Sequence, residues 1–195
     1  MPEVESLAVF LRERAVGHAL VRADITAISA LKTYDPPISA MVGLLIDDVQ
    51  RHGKFLDISA QGVHLVIHLA RAGWLRWKDE QSTGLVRPGK GPIALRTVLD
   101  DGSGFDLTEA GTQKKLAVYV VRDVNEVPGI ARLGPDPFTL SLDDFGGILQ
   151  KAGRVQLKGA VVAKLVQVAQ RELSKPENQQ KIKQAVQKVQ QRRAH

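Results

Sequence analysis

Apolar and polar positions alternate most clearly in RHGKFLDISAQGVHLVIHLARAGWLRW, residues 51–77. Val63, Leu65, Ile67 and Leu69 alternate with His64, Val66 and His68. A period of two predicts a strand with one face on a core. Leu56 and Ile58 alternate in the same way, and Gln61-Gly62 supplies a turn between the two runs, so they predict an antiparallel hairpin. Arg71-Ala72-Gly73 interrupts the pattern and Trp74 to Lys78 resumes it, which predicts a third strand and hence a three-stranded meander.

Elsewhere the period changes. Val4, Leu7, Ala8, Leu11 and Ala15 fall on one stripe of a helix over Pro2 to Val16; Pro2 suits its first turn, Glu3 and Glu5 complement its positive end, and Gly17 closes it. Strands are expected over Ala19–Ala30 and Met41–Gln50, joined by a loop from Lys32 to Ser39 that Tyr34-Asp35-Pro36-Pro37 keeps extended. Asp79 to Pro92 reads as a loop, and Ile93–Leu99, Phe105–Leu107 and Leu116–Val121 as further strands. After Leu133-Gly134-Pro135-Asp136-Pro137 the pattern turns helical. Ser141 caps a segment with Asp143 and Asp144 in its first turn, Phe145, Ile148 and Leu149 as its buried face, and Gly153 as a stop. Beyond Ala163, Leu165, Val168 and Ala169 form one helical stripe and Ile182, Ala185, Val186 and Val189 another. Between them, Ser174-Lys175-Pro176-Glu177 is a capped helix start. The fold class is therefore α+β: an antiparallel β-sandwich with an N-terminal helix, followed by a helical C-terminal region.

Charge adds a contrast that the pattern does not carry. Up to Gly153 there are 17 Lys and Arg against 19 Asp and Glu, a balance of −2, whereas Arg154 to His195 holds 10 against 2, a balance of +8. A concentrated basic segment attracts phosphate backbones without reading sequence; a solvated helix face is the equal alternative on charge alone. The 195 residues, 44% of them hydrophobic, allow one domain or two small ones, and the absence of cysteine excludes disulfides and thiolate metal sites. No apolar run reaches the roughly 18 residues needed to span a bilayer, and the acidic N-terminus is unlike a signal peptide. A cytoplasmic location, nucleoid-associated in a bacterium, is the expectation, with no membrane partner.

Candidate metal and phosphate sites mostly dissolve on geometry. His64 and His68 are four residues apart on a strand, roughly 13 Å, too far to share a zinc with ligand bonds of about 2 Å. Gly89-Lys90-Gly91 lacks the spacing of a phosphate loop, and the turn Asp100-Asp101-Gly102-Ser103-Gly104 is too short to wrap calcium. Neither a metal nor another cofactor is expected. Trp74 and Trp77 fall on opposite faces of their strand, so at least one belongs to the core.

RHGKFL followed by HLARAGWLRW resembles the signature hairpin of the formamidopyrimidine-DNA glycosylase and endonuclease VIII family, which repairs oxidised bases in DNA; PEVESLAVFLRERAVG and VPGIARLGPDPFTL agree with it. The similarity spans roughly residues 2–162. It implies a base-excision DNA glycosylase and abasic-site lyase acting on damaged double-stranded DNA. Removal of Met1 would free the Pro2 amine to attack the sugar C1′, with Glu3 as the acid/base residue. An α-amine of pKa about 7.7 to 8.0 is partly unprotonated near neutrality, as such a nucleophile needs to be.

The resemblance also places Lys54 on phosphates beside the lesion, and Arg51, Arg71, Arg76, Lys114, Lys115 and Lys158 along the DNA. Arg71 stands where many relatives carry a methionine that fills the gap left by an everted base; Lys114 and Lys115 occupy the place of an arginine-bearing segment. It implies a catalytic sandwich over 1–125 and the start of a helix-two-turns-helix DNA-binding region over 126–162; the basic helical tail over 163–195 lies beyond it and is expected to pack on the body, self-associate or lie along DNA.

Two departures keep alternatives open. Relatives commonly open Pro-Glu-Leu-Pro-Glu-Val-Glu, whereas this chain reads Pro2-Glu3-Val4-Glu5, as though three residues were missing. Either Pro2 matches the second proline and the catalytic pair is absent, or Pro2 and Glu3 act from a helix shorter by about 4.5 Å. Past residue 162 the family's glycine-rich turn, DNA-contacting asparagine and zinc finger have no counterpart in the sequence. The opposing class is a non-catalytic DNA-binding or scaffold protein that keeps the fold.

Overall fold

The computed structural model describes residues 2–82, 84, 86, 91–110, 114–136 and 138–152. Two units are distinguished, Met1–Thr139 and Leu140–His195. The first is a sandwich of two four-stranded antiparallel sheets. Its strands are β1 (Leu20–Ile25), β2 (Ile46–His52), β3 (Phe55–Ala60), β4 (Val63–His68), β5 (Gly73–Lys78), β6 (Ile93–Leu99), β7 (Gly104–Glu109) and β8 (Ala117–Val121). One sheet has the order β1-β6-β7-β5 and the other β2-β3-β4-β8.

The expected hairpin is present as β3–β4, with Ile58 opposite Leu65 and Leu56 opposite Ile67. Gln61 and Gly62 both have positive φ, 47° and 82°, the backbone of a tight turn whose twist matches that of its strands. The meander differs from expectation. Its third strand is β2, which pairs with β3, while β5 leaves this sheet and pairs with β7 in the other. Alternation reports which residues face inward and is silent on which sheet they face inward from. The crossing is a tight corner: Ala70 has φ 55° and Gly73 N–H donates to Leu69 O at 2.9 Å. A Cβ on Gly73 would lie 2.2 Å from that same oxygen, so the corner requires glycine.

The sandwich interior is built from Val49, Leu56, Ile58, Leu65, Ile67, Val118 and Val120 of one sheet and Leu95, Leu99, Phe105 and Leu107 of the other. Helix α1 (Pro2–Ala15) buries Val4, Ala8, Leu11 and Ala15, the expected stripe, while Leu7 is only half-buried. It covers the side where β2 and β5 are both edge strands: Arg12 reaches Asp48 of β2, and the Phe10 ring meets Trp77 of β5 edge-on at 6.0 Å. Trp77 thus belongs to the core, and Trp74 does not.

Val66, on the opposite face of β4, is also fully buried. A second small cluster of Val66, Val121, Val127 and Ile130, flanked by Phe55 and Tyr119, seats the short helix α2 (Pro128–Ala131) on the outside of that sheet. Strand β1 is shorter than expected, because the chain after Ile25 turns into a 3-10 helix at Ile28–Ala30; a second one at Ile38–Met41 precedes β2. Thr26 Oγ1 donates to Ile93 O at 2.5 Å where β1 ends.

In the second unit, α3 (Leu142–Ala152) starts as expected, with Ser141 Oγ accepting the Asp144 N–H at 3.1 Å. Its expected buried face is only partly covered: Phe145 is half-buried and Ile148 exposed. The Leu149 side chain, Gly153, Lys158 and the two basic helices expected after Ala163 lie outside the described residues. No helix among the described residues is long and apolar enough to cross a membrane.

Candidate nucleic-acid interface

Strand register brings most of the candidate residues to one rim of the sandwich. The β2–β3 turn, Gly53-Lys54, sits beside the end of β4, since the Phe55 and His68 rings are 4.8 Å apart. From His68 the chain enters the β4–β5 corner with Arg71. His68 pairs with Ala117 and Gly73 with Glu109. Lys114 and Lys115, which lie between β7 and β8, therefore belong to the same rim. Glu109, itself buried, accepts the Lys115 and Leu116 backbone N–H groups at 2.6 and 2.8 Å and so fixes where that segment emerges.

The start of α1 joins this rim through Arg51. Its Nε donates to Glu5 Oε2 at 2.6 Å, one terminal nitrogen donates to Gly53 O at 3.0 Å, and the other reaches Asp136. The side chain is only 5% exposed, and the guanidinium carbon stands 5.0 Å from the centroid of the Phe138 ring. Burial works against its charge, but the Glu5 and Asp136 carboxylates outweigh that and raise its pKa. Asp136 is held low: burial opposes ionisation, and the Phe138 N–H together with Arg51 overcomes it. Arg51, expected on phosphate, is thus turned inward, where it ties α1, the Lys54 turn and the loop after α2 to one point. An open cleft runs beside it, lined by Glu5, Arg12, Asp48, Gln50, Asp136 and Phe138.

The other expected residues within the described part of the chain are exposed. Pro2 and Glu3 are exposed at the start of α1, as are Lys54, Arg71, Arg76, Lys114 and Lys115. Arg76 sits lower on β5 than the rest, opposite Asp106 and roughly 10 Å from Gly73 along the strand. Lys54 leaves a mark on its surroundings: burial first, and then the Lys54 charge, depress the His68 pKa. Sequence reasoning did not find Glu5 or Asp136 as anchors, nor Asp57. Asp57 is buried on the outer face of its sheet and lies 3.1 Å from His52 Nε2 and 3.0 Å from His64 Nδ1. The signal for Asp57 was present, because an acidic residue two positions inside an apolar hairpin strand needs a cross-strand partner, and His64 is the diagonal one.

One trio among the described residues, His18, Asp100 and Asp101, brings its donor atoms within 4.8 Å of one another. His18 Nδ1 is 2.8 Å from Asp100, whose other oxygen accepts the Ala19 N–H at 3.1 Å. These groups, His18 half-buried and the two aspartates exposed, tie the start of β1 to the β6–β7 turn, away from the rim.

Two antiparallel sheets with an N-terminal helix are the layout of the N-terminal domain of formamidopyrimidine-DNA glycosylases. The chain belongs to the formamidopyrimidine-DNA glycosylase family, whose N-terminal domain model matches residues 1–110. It is 30% identical over 143 residues to the formamidopyrimidine-DNA glycosylase of Symbiobacterium thermophilum, covering 71% of this chain and 45% of that protein. With the Listeria monocytogenes enzyme the identity is 27% over 176 residues, covering 85% and 60%. The chain therefore spans about half the length of these relatives. Among solved structures, the Lactococcus lactis enzyme bound non-covalently to DNA with an abasic site matches with a TM-score of 0.59 and 21% identity, over 74% of this chain and 53% of that one. The same enzyme with a FAPY-dG-containing DNA gives 0.57 and 20%, over 70% and 50%. These structural matches establish the fold.

Proposed function

We propose that this chain acts on damaged double-stranded DNA as a base-excision glycosylase and abasic-site lyase, with Pro2 as nucleophile and Glu3 as the acid/base group. The observation that carries the reading is the Arg51 tie. It fixes the start of α1 and the Lys54 turn to one point, although the two are separated by nearly fifty residues of sequence. Covalent catalysis requires such fixed placement, since a misplacement of about 1 Å already costs a large factor.

In this reading Met1 is removed and the Pro2 nitrogen bonds to C1′ as the glycosidic bond breaks and the damaged base departs. Glu3 moves the protons: the C1′–O4′ bond opens with protonation of O4′ to leave the iminium, and loss of a C2′ proton from it breaks the C3′–O bond and releases the 3′ phosphate. Lys54, Arg71, Lys114 and Lys115 supply phosphate contacts, which position the duplex without reading its sequence. Arg51 contributes by holding the rim rather than by touching DNA.

Borohydride reduction in the presence of abasic DNA tests the reading, because it links protein to DNA only where an iminium forms. Mature protein beginning at Pro2 is expected to give the adduct, and protein retaining Met1 to give little. If protein with a verified Pro2 terminus binds abasic DNA without forming an adduct, the shortened opening has removed the chemistry. The non-catalytic DNA-binding reading then replaces this one.

A further inference from the structure

Strand β5 places a large aromatic side chain where the core does not use it. Trp74 is 64% exposed, while its strand neighbours Leu75 and Trp77 pack inward. Indole is the largest apolar surface a residue offers, and one left open on a rigid strand is unusual. Helix α1 covers the open edge of β5 at Trp77, so a ligand would approach Trp74 from the outer face of the sheet.

The surroundings of Trp74 define what it would accept. Opposite it on β7 stands Thr108, and two residues along the same face stands Arg76. Arg76 is exposed and faces Asp106 across the pair. That carboxylate is already taken, with two hydrogen bonds of 2.8 Å from Arg96 and further contacts to Lys78 at 3.2 Å and Gln81 at 3.2 Å. Arg71, at the corner leading into β5, is likewise exposed, and among the described residues neither arginine makes an ion pair. Among the described residues, the strand-face neighbours of Trp74 are thus Thr108 and Arg76 rather than the apolar side chains of a protein–protein contact. Trp74 is a single flat ring set among uncommitted guanidinium groups and a hydroxyl.

We infer that Trp74 is a stacking platform for an unpaired DNA base, with Arg71 and Arg76 on the flanking phosphates. Every base offers a π-face, so aromatic stacking beside a cationic track binds single-stranded segments with little sequence preference. A fully paired duplex keeps its bases stacked on each other and gives Trp74 nothing to receive. The site extends the rim down the outer side of β5. It relies on the proposed function only for its class of partner, DNA, and not on the chemistry at Pro2.

The test uses the full chain with two DNAs of the same sequence, a fully paired duplex and one carrying a single unpaired thymidine. Tryptophan emission should be quenched more by the second, and Trp74→Phe, which leaves Trp77 as the sole tryptophan, should lose the extra quenching. Trp74→Ala should weaken binding to the bulged DNA roughly ten-fold or more and weaken binding to the paired duplex less. Arg76→Ala should weaken both alike and lower the slope of log affinity against log salt by about one. Quenching without a borohydride adduct would retire the lyase reading and leave this inference standing. Bulged DNA that binds without perturbing Trp74, a Trp74→Ala variant that keeps the full bulge preference, or a chain that binds neither DNA would overturn it.

Discussion

Arg51 donates from Nε to Glu5 Oε2 at 2.6 Å, joining β2 to the first turn of α1 across 46 residues of sequence. The pair is asymmetric, because the arginine side chain is 5% exposed and the glutamate 43%. Loss of the arginine would strip Glu5, Asp136 and Gly53 O of a shared donor, while water could rehydrate the more open carboxylate. Arg51→Met should therefore destabilise the fold by about 2 kcal/mol, below the cost of breaking a fully buried pair. Urea denaturation reads this directly. An unchanged midpoint would mean that the tie contributes nothing net.

Lys54 lies at the same end of its sheet as His68, and burial together with the Lys54 charge lowers the His68 pKa. Lys54→Ala should raise the His68 titration midpoint towards the ordinary imidazole value near 6.5, as followed by NMR of the ring protons. The linkage has a definite sign. The folded imidazole takes up its proton less readily than the unfolded one, so its contribution to stability is complete above about pH 6.5 and is lost as pH falls through the lower folded value. A titration curve that does not move would separate Lys54 from the β4 end of the rim.

Asp106 lies under Arg96, Lys78 and Gln81 on the outer face of its sheet. Burial pushes its pKa up, but hydrogen bonds from Arg96 and Lys78 outweigh that and leave it below the ordinary carboxylate value. Its stabilising effect is present above about pH 4 and should disappear as pH falls through the lower folded value. Asp106→Asn should lower stability at neutral pH and flatten the acid limb of the stability profile measured by thermal unfolding. A variant with the same acid limb as the parent would show that other carboxylates carry the acid sensitivity.

The corner between β4 and β5 leaves no room for a side chain at Gly73, where a Cβ would stand 2.2 Å from Leu69 O and 3.0 Å from Leu116 Cδ1. Backbone would have to move, so Gly73→Ala should cost about 2 kcal/mol or more. It should also increase hydrogen exchange at the Gly73 N–H, which donates to Leu69 O. Gly62→Ala provides the comparison. Nothing stands within 4 Å of its added Cβ, so its cost should come from the positive φ alone.

The local rules of the chain were legible from sequence: the α1 stripe, the Gln61-Gly62 hairpin, the Ser141 cap and the inward-facing Leu56, Ile58, Leu65 and Ile67 of that hairpin. Each depends on residues a few positions apart, where covalent geometry fixes which side chains share a face. The hairpin residues 51–77 also carried the family, because the turn and its flanking charges are contiguous in sequence. Two relationships required the tertiary structure. Leu75 and Trp77 point inward whether β5 extends the β2-β3-β4 sheet or crosses to pair with β7, so alternation could not choose between them. The Leu69–Gly73 corner and the packing of Trp77 on Phe10 chose the second. Arg51 read as one more cation at a strand end. Only the arrival of Glu5 from 46 residues before it and Asp136 from 85 residues after it made it a buried tie. The charge of a residue is written in the sequence, whereas the partners that neutralise it are set by how distant segments pack.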